Sequence, residues 1–214
     1  MILLIIFIAA IIILVIAFSK ENRSVTSLTD EKGLYGEEIC VYYLRKMLRK
    51  DEYILNNLLL SLRNGRKTEI DAVIVSQKGI FCIEIKNWVG HISGDNYSQY
   101  WYQRYDDKYL EDKLHRNPFI QNENHCKVLA RLFNYKYSVN NVILFPKIED
   151  KQELHSSTTF ELEEFIKYYR CLSNGKLHSY DVEKVVSKLR KYEATDEQLK
   201  NYKKQMQREK NEHD

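Results

Sequence analysis

Two strand-length segments, Lys67 to Val75 and Ile80 to Asn87, flank the tetrapeptide Ser76-Gln77-Lys78-Gly79, and no other feature of the chain narrows its fold as far. Ala72-Val73-Ile74-Val75 and Ile80-Phe81-Cys82-Ile83 are apolar at odd and even positions alike. A strand with one face in water alternates apolar and polar residues, so these two bury both faces. A sheet covered on each side by helices satisfies them.

The flanking sequence supplies the cover. A helix is expected from Gly36 to Lys50, with Cys40, Val41, Leu44, Met47 and Leu48 on its apolar face. A first strand runs from Tyr53 to Leu62 and ends at Arg63-Asn64-Gly65-Arg66, where Asn-Gly predicts a type I′ hairpin turn. Asn117-Pro118 starts a second helix that reaches Phe133, because Asn caps well and Pro is tolerated at the first helical position. Asn141 to Phe145 reads as a short buried strand, with helices near 161–171 and 181–193. The aromatic and charged region 88–116 shows little period and yields no assignment. The order is helix, three-strand antiparallel meander, helix, strand, helices: an α/β fold on a mixed sheet flanked by helices.

Three charges interrupt this apolar pattern: Asp71, Glu84 and Lys86. Alternate residues of a strand share a face, so Glu84 and Lys86 project together. An even-length turn centred on Gln77-Lys78 pairs Ser76 with Gly79 and places Asp71 opposite Glu84, with their Cβ atoms about 4.5–5.5 Å apart. Two carboxylates that close repel, and one takes up a proton unless a cation intervenes. Mg²⁺ (or Mn²⁺) suits such oxygen ligands and can polarise a phosphate oxygen and acidify a water. Lys86 would orient that water or stabilise charge on the phosphate. The plainer reading is a cross-strand salt bridge between Lys86 and Asp71 or Glu84. It is disfavoured because charges on an apolar face are costly unless paired or metal-bound.

Glu37 shares the inward face of the first helix and could add a third acid, or simply complement the helix dipole. Gln121 and His125 lie one turn apart on the inward face of the second helix. Gln121 could hold a water or phosphate; His125 reads as a core histidine. Arg63, Arg66 and Lys67 at the first hairpin tip could contact phosphates, or be a solvated turn.

Residues Ile2 to Phe18 form an uninterrupted apolar run of 17, the short end of a bilayer span. No charge precedes it, and Lys20 and Arg23 follow. The expectation is a single-pass anchor over 1–19 in the cell membrane and a linker over 20–32, with the C-terminal domain cytoplasmic by the positive-inside rule. Ala17-Phe18-Ser19 keeps a cleaved signal peptide as the alternative. The rest divides into a core domain over 33–146, a helical extension over 147–194 and a charged tail over 195–214 that reads as a frayed helix. Net charge is +3, too small to argue for nucleic acid by itself. The four cysteines lack paired zinc-ligand spacing and read as free thiols of a reducing compartment.

The ordered set Gly36-Glu37, Ile70-Asp71, Gly79-Ile80-Phe81-Cys82-Ile83-Glu84-Ile85-Lys86-Asn87-Trp88, Gly90, Trp101 and Asn117-Pro118-Phe119-Ile120-Gln121-Asn122 resembles the nuclease-related domain (NERD) family, a branch of the PD-(D/E)xK nucleases. The resemblance spans about residues 33–146. It implies a restriction-endonuclease-like fold and Mg²⁺-dependent hydrolysis of nucleic-acid phosphodiesters, with DNA as partner. It also implies Asp71 and Glu84 as metal ligands, Lys86 as catalytic lysine, Glu37 as the helix acid and Gln121 as the family's helix glutamine. One position departs from the pattern: Glu69 stands where a glutamine is common, and strand alternation puts it on the face of Asp71. A non-cutting module that binds nucleic acid or a protein partner at the membrane is the competing reading, and a membrane scaffold with a relict fold the third.

Overall fold

Ser76 pairs with Gly79 across a two-residue turn, and the expected antiparallel register follows as far as Ala72 opposite Ile83. The computed structural model describes residues 35–148 and 150–211. The expected membrane span over 2–18 and the linker over 20–32 lie outside the described residues. Among the described residues, no helix is long and apolar enough to cross a membrane.

The meander comprises β1 (Tyr53–Ser61), β2 (Lys67–Ser76) and β3 (Gly79–Ile85). Helix α1 (residues 35–47) precedes it and ends three residues before the expected Lys50. Beyond the meander come β4 (His91–Asp95), β5 (Tyr100–Arg104), β6 (Lys113–Arg116), α2 (Pro118–Leu132) and β7 (Val139–Phe145). Then follow β8 (Leu154–His155), β9 (Thr159–Glu161), α3 (Leu162–Cys171), α4 (Ser179–Leu189) and α5 (Asp196–Asn211). The main sheet has the order β1-β2-β3-β7-β9, with β7 and β9 parallel to β3.

Both faces of this sheet are covered, as its sequence requires. Val73, Val75, Ile80 and Cys82 pack against Cys126 and Leu129 of α2 and Val182, Val185 and Val186 of α4. Ala72, Ile74, Phe81 and Ile83 pack against Cys40 and Leu44 of α1 and Phe165 and Tyr169 of α3. Each fully buried Val, Ile, Leu or Phe side chain among them stabilises the fold by about 1.5–3 kcal/mol relative to exposure. Asn122, fully buried, fixes α2 to the sheet: its Nδ2 donates to the carbonyls of Cys82 (2.9 Å) and Val142 (3.0 Å).

The region without a sequence assignment supplies β4, β5 and β6 of a second sheet, β6-β5-β4-β8. Its buried Trp101 and Ile92 pack on Ile143, Phe145 and Ile148 beside the main sheet. One local expectation changes. The first hairpin closes with Gly65 N donating to Leu62 O (3.2 Å) and Leu62 N to Arg66 O (2.7 Å). Gly65 has φ +81°, while Asn64 keeps a negative φ. The turn is therefore a type I turn closed by a left-handed glycine, not type I′. The charged tail, expected as a frayed helix, forms α5, and its Leu199 is buried.

Strand alternation also breaks. Leu55 and Leu58 both enter the core under α2, although they are three apart, and so do Ile70 and Val73 on the facing strand. Asn57 has φ +56°, and this left-handed residue flips the pleat where β1 and β2 pass Asp71.

Candidate functional site

β2 and β3 separate beyond Ala72–Ile83, and Asp71 occupies the gap. Its Oδ2 accepts the backbone N–H of Ile85 at 2.7 Å, taking the place of a ladder bond. Glu84, one residue earlier on β3, is 2% exposed and points toward α2. Its Oε1 accepts from Lys86 Nζ (2.6 Å) and Gln121 Nε2 (2.6 Å). Lys86 also reaches Gln121 Oε1 at 3.4 Å. The fold thus brings Asp71, Glu84, Lys86 and Gln121 into one neighbourhood, but the expected pairing of Asp71 with Glu84 is not made: the ladder ends at Ala72–Ile83, and Asp71 accepts from Ile85 instead. The Lys86–Glu84 salt bridge foreseen as the plainer reading is present as well.

His125, read from sequence as a core residue, stands on this cluster. Its Nδ1 lies 3.3 Å from Glu84 Oε2, and its Nε2 meets Thr68 Oγ1 at 3.1 Å. The Nδ1–Oε2 contact is not aligned as a hydrogen bond, so both buried atoms lack one.

Glu37 enters from α1. Gly36 permits this approach: a Cβ there would sit 2.5 Å from Asn87 Cγ and 2.6 Å from Asn87 Cβ. Glu69 lies near enough to the cluster for its charge to raise the Glu37 carboxyl, and it pairs with Lys203 of α5, with Lys203 Nζ 3.3 Å from Glu69 Oε1. Lys203 was invisible to motif reasoning. Its only signal is the helical spacing of Leu199, Tyr202 and Met206, which gives the charged segment one inward side. Arg63, Arg66 and Lys67 are exposed at the hairpin tip, and none of them contacts the cluster directly.

The electrostatics follow from crowding. Burial pushes the Asp71 carboxyl well above the ordinary range, and the charges of Glu84 and Glu37 push it further. Burial likewise raises Glu37, against the pull of Lys203. Burial also works upward on Glu84, but the Lys86 ammonium and the His125 ring outweigh it and hold that carboxyl low. Burial alone would lower Lys86; Glu84 and Asp71 reverse that and keep it protonated. One acid is thus held ionised and its neighbour is held back from ionising.

A cleft of about 610 Å³ opens beside the cluster. Gln121, His125 and Thr68 line it, with Leu62 of the hairpin and Arg116 of β6 on its rim.

A profile of the nuclease-related domain matches residues 32–146, more than half of the chain. The chain belongs to the nuclease-related domain family. The NERD segment contains Glu37, Asp71, Glu84, Lys86 and Gln121, and it ends just after β7. An uncharacterized protein of Bacillus anthracis, pXO1-01, is 29% identical over 143 residues, covering 66% of this chain. The chain spans 64% of that relative's length, a little under two thirds. No solved structure matches the chain. Lys203 therefore lies outside the NERD segment and reaches back into it.

Divalent metal use is general among NERD proteins, and the donor chemistry here fits it. Asp71 and Glu84 offer hard oxygen ligands, and Glu84 Oε2 is buried without a hydrogen bond. The side chains are not gathered for it: among the described residues, no three histidine, cysteine or carboxylate groups form a metal-binding set.

Proposed function

We propose that this NERD protein is a divalent-metal-dependent nuclease that hydrolyses phosphodiester bonds of nucleic acid, DNA in the first instance. One observation carries the reading. Asp71, Glu84 and Lys86 converge where two buried strands part, beside an open cleft, and a structural ion pair would need neither the second carboxylate nor the opening. Asp71 and Glu84 would hold Mg²⁺ or Mn²⁺, which supplies Lewis-acid activation of the phosphate and a more acidic water. Lys86, kept protonated by its acidic neighbours, stabilises negative charge on a phosphate that enters from the cleft. Gln121 fixes the Glu84 carboxylate through Oε1 and presents its own amide to the cleft. Glu37 adds charge from α1, and Arg63, Arg66 and Lys67 offer phosphate contacts from the hairpin tip.

The anchor belongs to the same proposal. The apolar run over 2–18, followed by Lys20 and Arg23, supports a single-pass protein of the cell membrane with its domain on the cytoplasmic side. Alkaline extraction of membranes should leave the full chain in the pellet; release into the supernatant refutes an integral span.

A second reading has its own support. Lys86, Gln121 and Lys203 already neutralise or bond the acids without a metal, as expected of a fold that binds nucleic acid or a protein partner without cutting. Incubation of the full chain with plasmid and single-stranded substrates, with and without Mn²⁺, decides between them. Metal-dependent cleavage that Asp71→Asn abolishes supports the nuclease. Binding of substrate with no cleavage and no calorimetric heat of metal binding supports the second reading.

A further inference from the structure

We propose that the outward face of the β5–β6 hairpin, together with the cleft at its root, receives an unpaired nucleic-acid strand, so that the substrate is single-stranded at the cut. The inference rests on the nuclease reading and adds the substrate's form.

The hairpin has two unlike faces. Trp101 is buried and Gln103 nearly so, which fixes the inner face. Tyr100 and Tyr102 therefore point outward, at 37% and 56% exposure. Tyr100 pairs with Arg116, and Tyr102 with Leu114, which is 54% exposed. Paired residues of an antiparallel ladder share a face. Arg116, Tyr100, Tyr102 and Leu114 thus form one continuous strip. Its Arg116 end is the rim of the cleft that holds Gln121 and His125. The strip leads directly to the acid cluster.

Its chemistry selects an occupant. Two exposed tyrosines beside an exposed leucine offer π-faces and apolar surface. Bases stack on such faces whatever their identity, but only when they are not already stacked in a duplex. Arg116 supplies the charge that complements a phosphate between the strip and the cleft. The cleft's size, about 610 Å³, falls in the range of pockets for small ligands and suits a nucleotide rather than a duplex. The far end of the hairpin closes the track. Asp106, Asp107, Glu111 and Asp112 outnumber Lys108 and Lys113 there, and this net negative charge disfavours a backbone, which limits the strip to about two nucleotides at about 3.3 Å per strand residue.

The test is binding to the full chain, in detergent and EDTA, of a fluorescent 12-nucleotide oligo-dT and of a 12-base-pair duplex, read by anisotropy. EDTA removes cleavage from the readout. The single strand should bind at least about tenfold more tightly than the duplex. Tyr100→Ala/Tyr102→Ala should lose that preference, Tyr100→Phe/Tyr102→Phe should keep it, and Arg116→Ala should reduce the salt slope by about one. Equal affinity for duplex and single strand, or an alanine pair that binds like the wild type, overturns the proposal. Failure of the nuclease reading is a separate result: no Mn²⁺-dependent cleavage by the wild type while the single-strand preference persists.

Discussion

Asp71 accepts the backbone N–H of Ile85 at the point where β2 leaves β3, so a carboxylate stands in for the peptide that would otherwise continue the sheet. Burial first, and then the charges of Glu84 and Glu37, push the pKa of the same group up.

Asp71→Asn should therefore stabilise the protein while abolishing metal-dependent cleavage. Asn keeps an acceptor for Ile85 and removes the repulsion. The sign follows from linkage: an acid whose folded pKa is raised contributes stability below its unfolded pKa and loses it as pH rises through the folded value. The variant's advantage should be present above the raised pKa of Asp71 and fade toward acid pH. A gain on the order of 1 kcal/mol would raise the melting midpoint by about 2–4 °C for a domain of this size. Melting curves across pH check this, and a variant that melts lower than wild type at alkaline pH contradicts it.

Lys86→Ala should cost stability as well as cleavage, because it strands the buried Glu84 carboxylate. Breaking a buried pair from one side costs about 3–5 kcal/mol, and the partial exposure of Lys86 places this case at or below the lower end. Adding Glu84→Gln should recover most of the loss without restoring cleavage. Chemical denaturation of the single and double variants measures the coupling; additive losses would show that the pair is not energetically joined.

Lys203→Ala removes an ammonium from the edge of the acid cluster, where it stands 3.3 Å from Glu69. A competing charge worth about 1 kcal/mol at this range corresponds to about fivefold in affinity. Titration calorimetry should show Mn²⁺ binding more tightly to the variant. Weaker binding would mean that α5 helps to assemble the acids.

His91 bridges Asp106 (2.9 Å) and Asp150 (3.0 Å), and these partners, Asp106 first, raise its pKa. A raised histidine stabilises below its unfolded pKa and ceases to do so as pH rises through the folded one. Imidazole resonances should titrate above the ordinary histidine value, about 6.5, and loop signals near residues 106 and 150 should shift over the same window. In His91→Asn that shared transition should be absent.

The parts of this molecule that sequence exposed are those where one local rule decided. A two-residue turn after Ser76 sets the register of β2 and β3 as far as Ala72–Ile83, next to Asp71 and Glu84, and Asn117-Pro118 fixes where α2 begins and hence the inward phase of Gln121. The second sheet stayed hidden because Tyr100, Trp101 and Tyr102 are all aromatic, which masks an alternation that burial makes plain. The role of His125 was hidden because a histidine on an apolar helix face looks the same whether it fills space or meets a carboxylate. Lys203 depends on where the last helix folds back, a tertiary fact with almost no apolar pattern to announce it.

The contact between Gly36 and Asn87 makes the first residue of the Gly-Glu pair a spacer gauge. A methyl group at position 36 would act as a wedge against the chain just past Lys86, levering the first helix outward and withdrawing the Glu37 carboxylate from its companions. The smallest side chain in the domain thereby sets how much negative charge the neighbouring hollow contains.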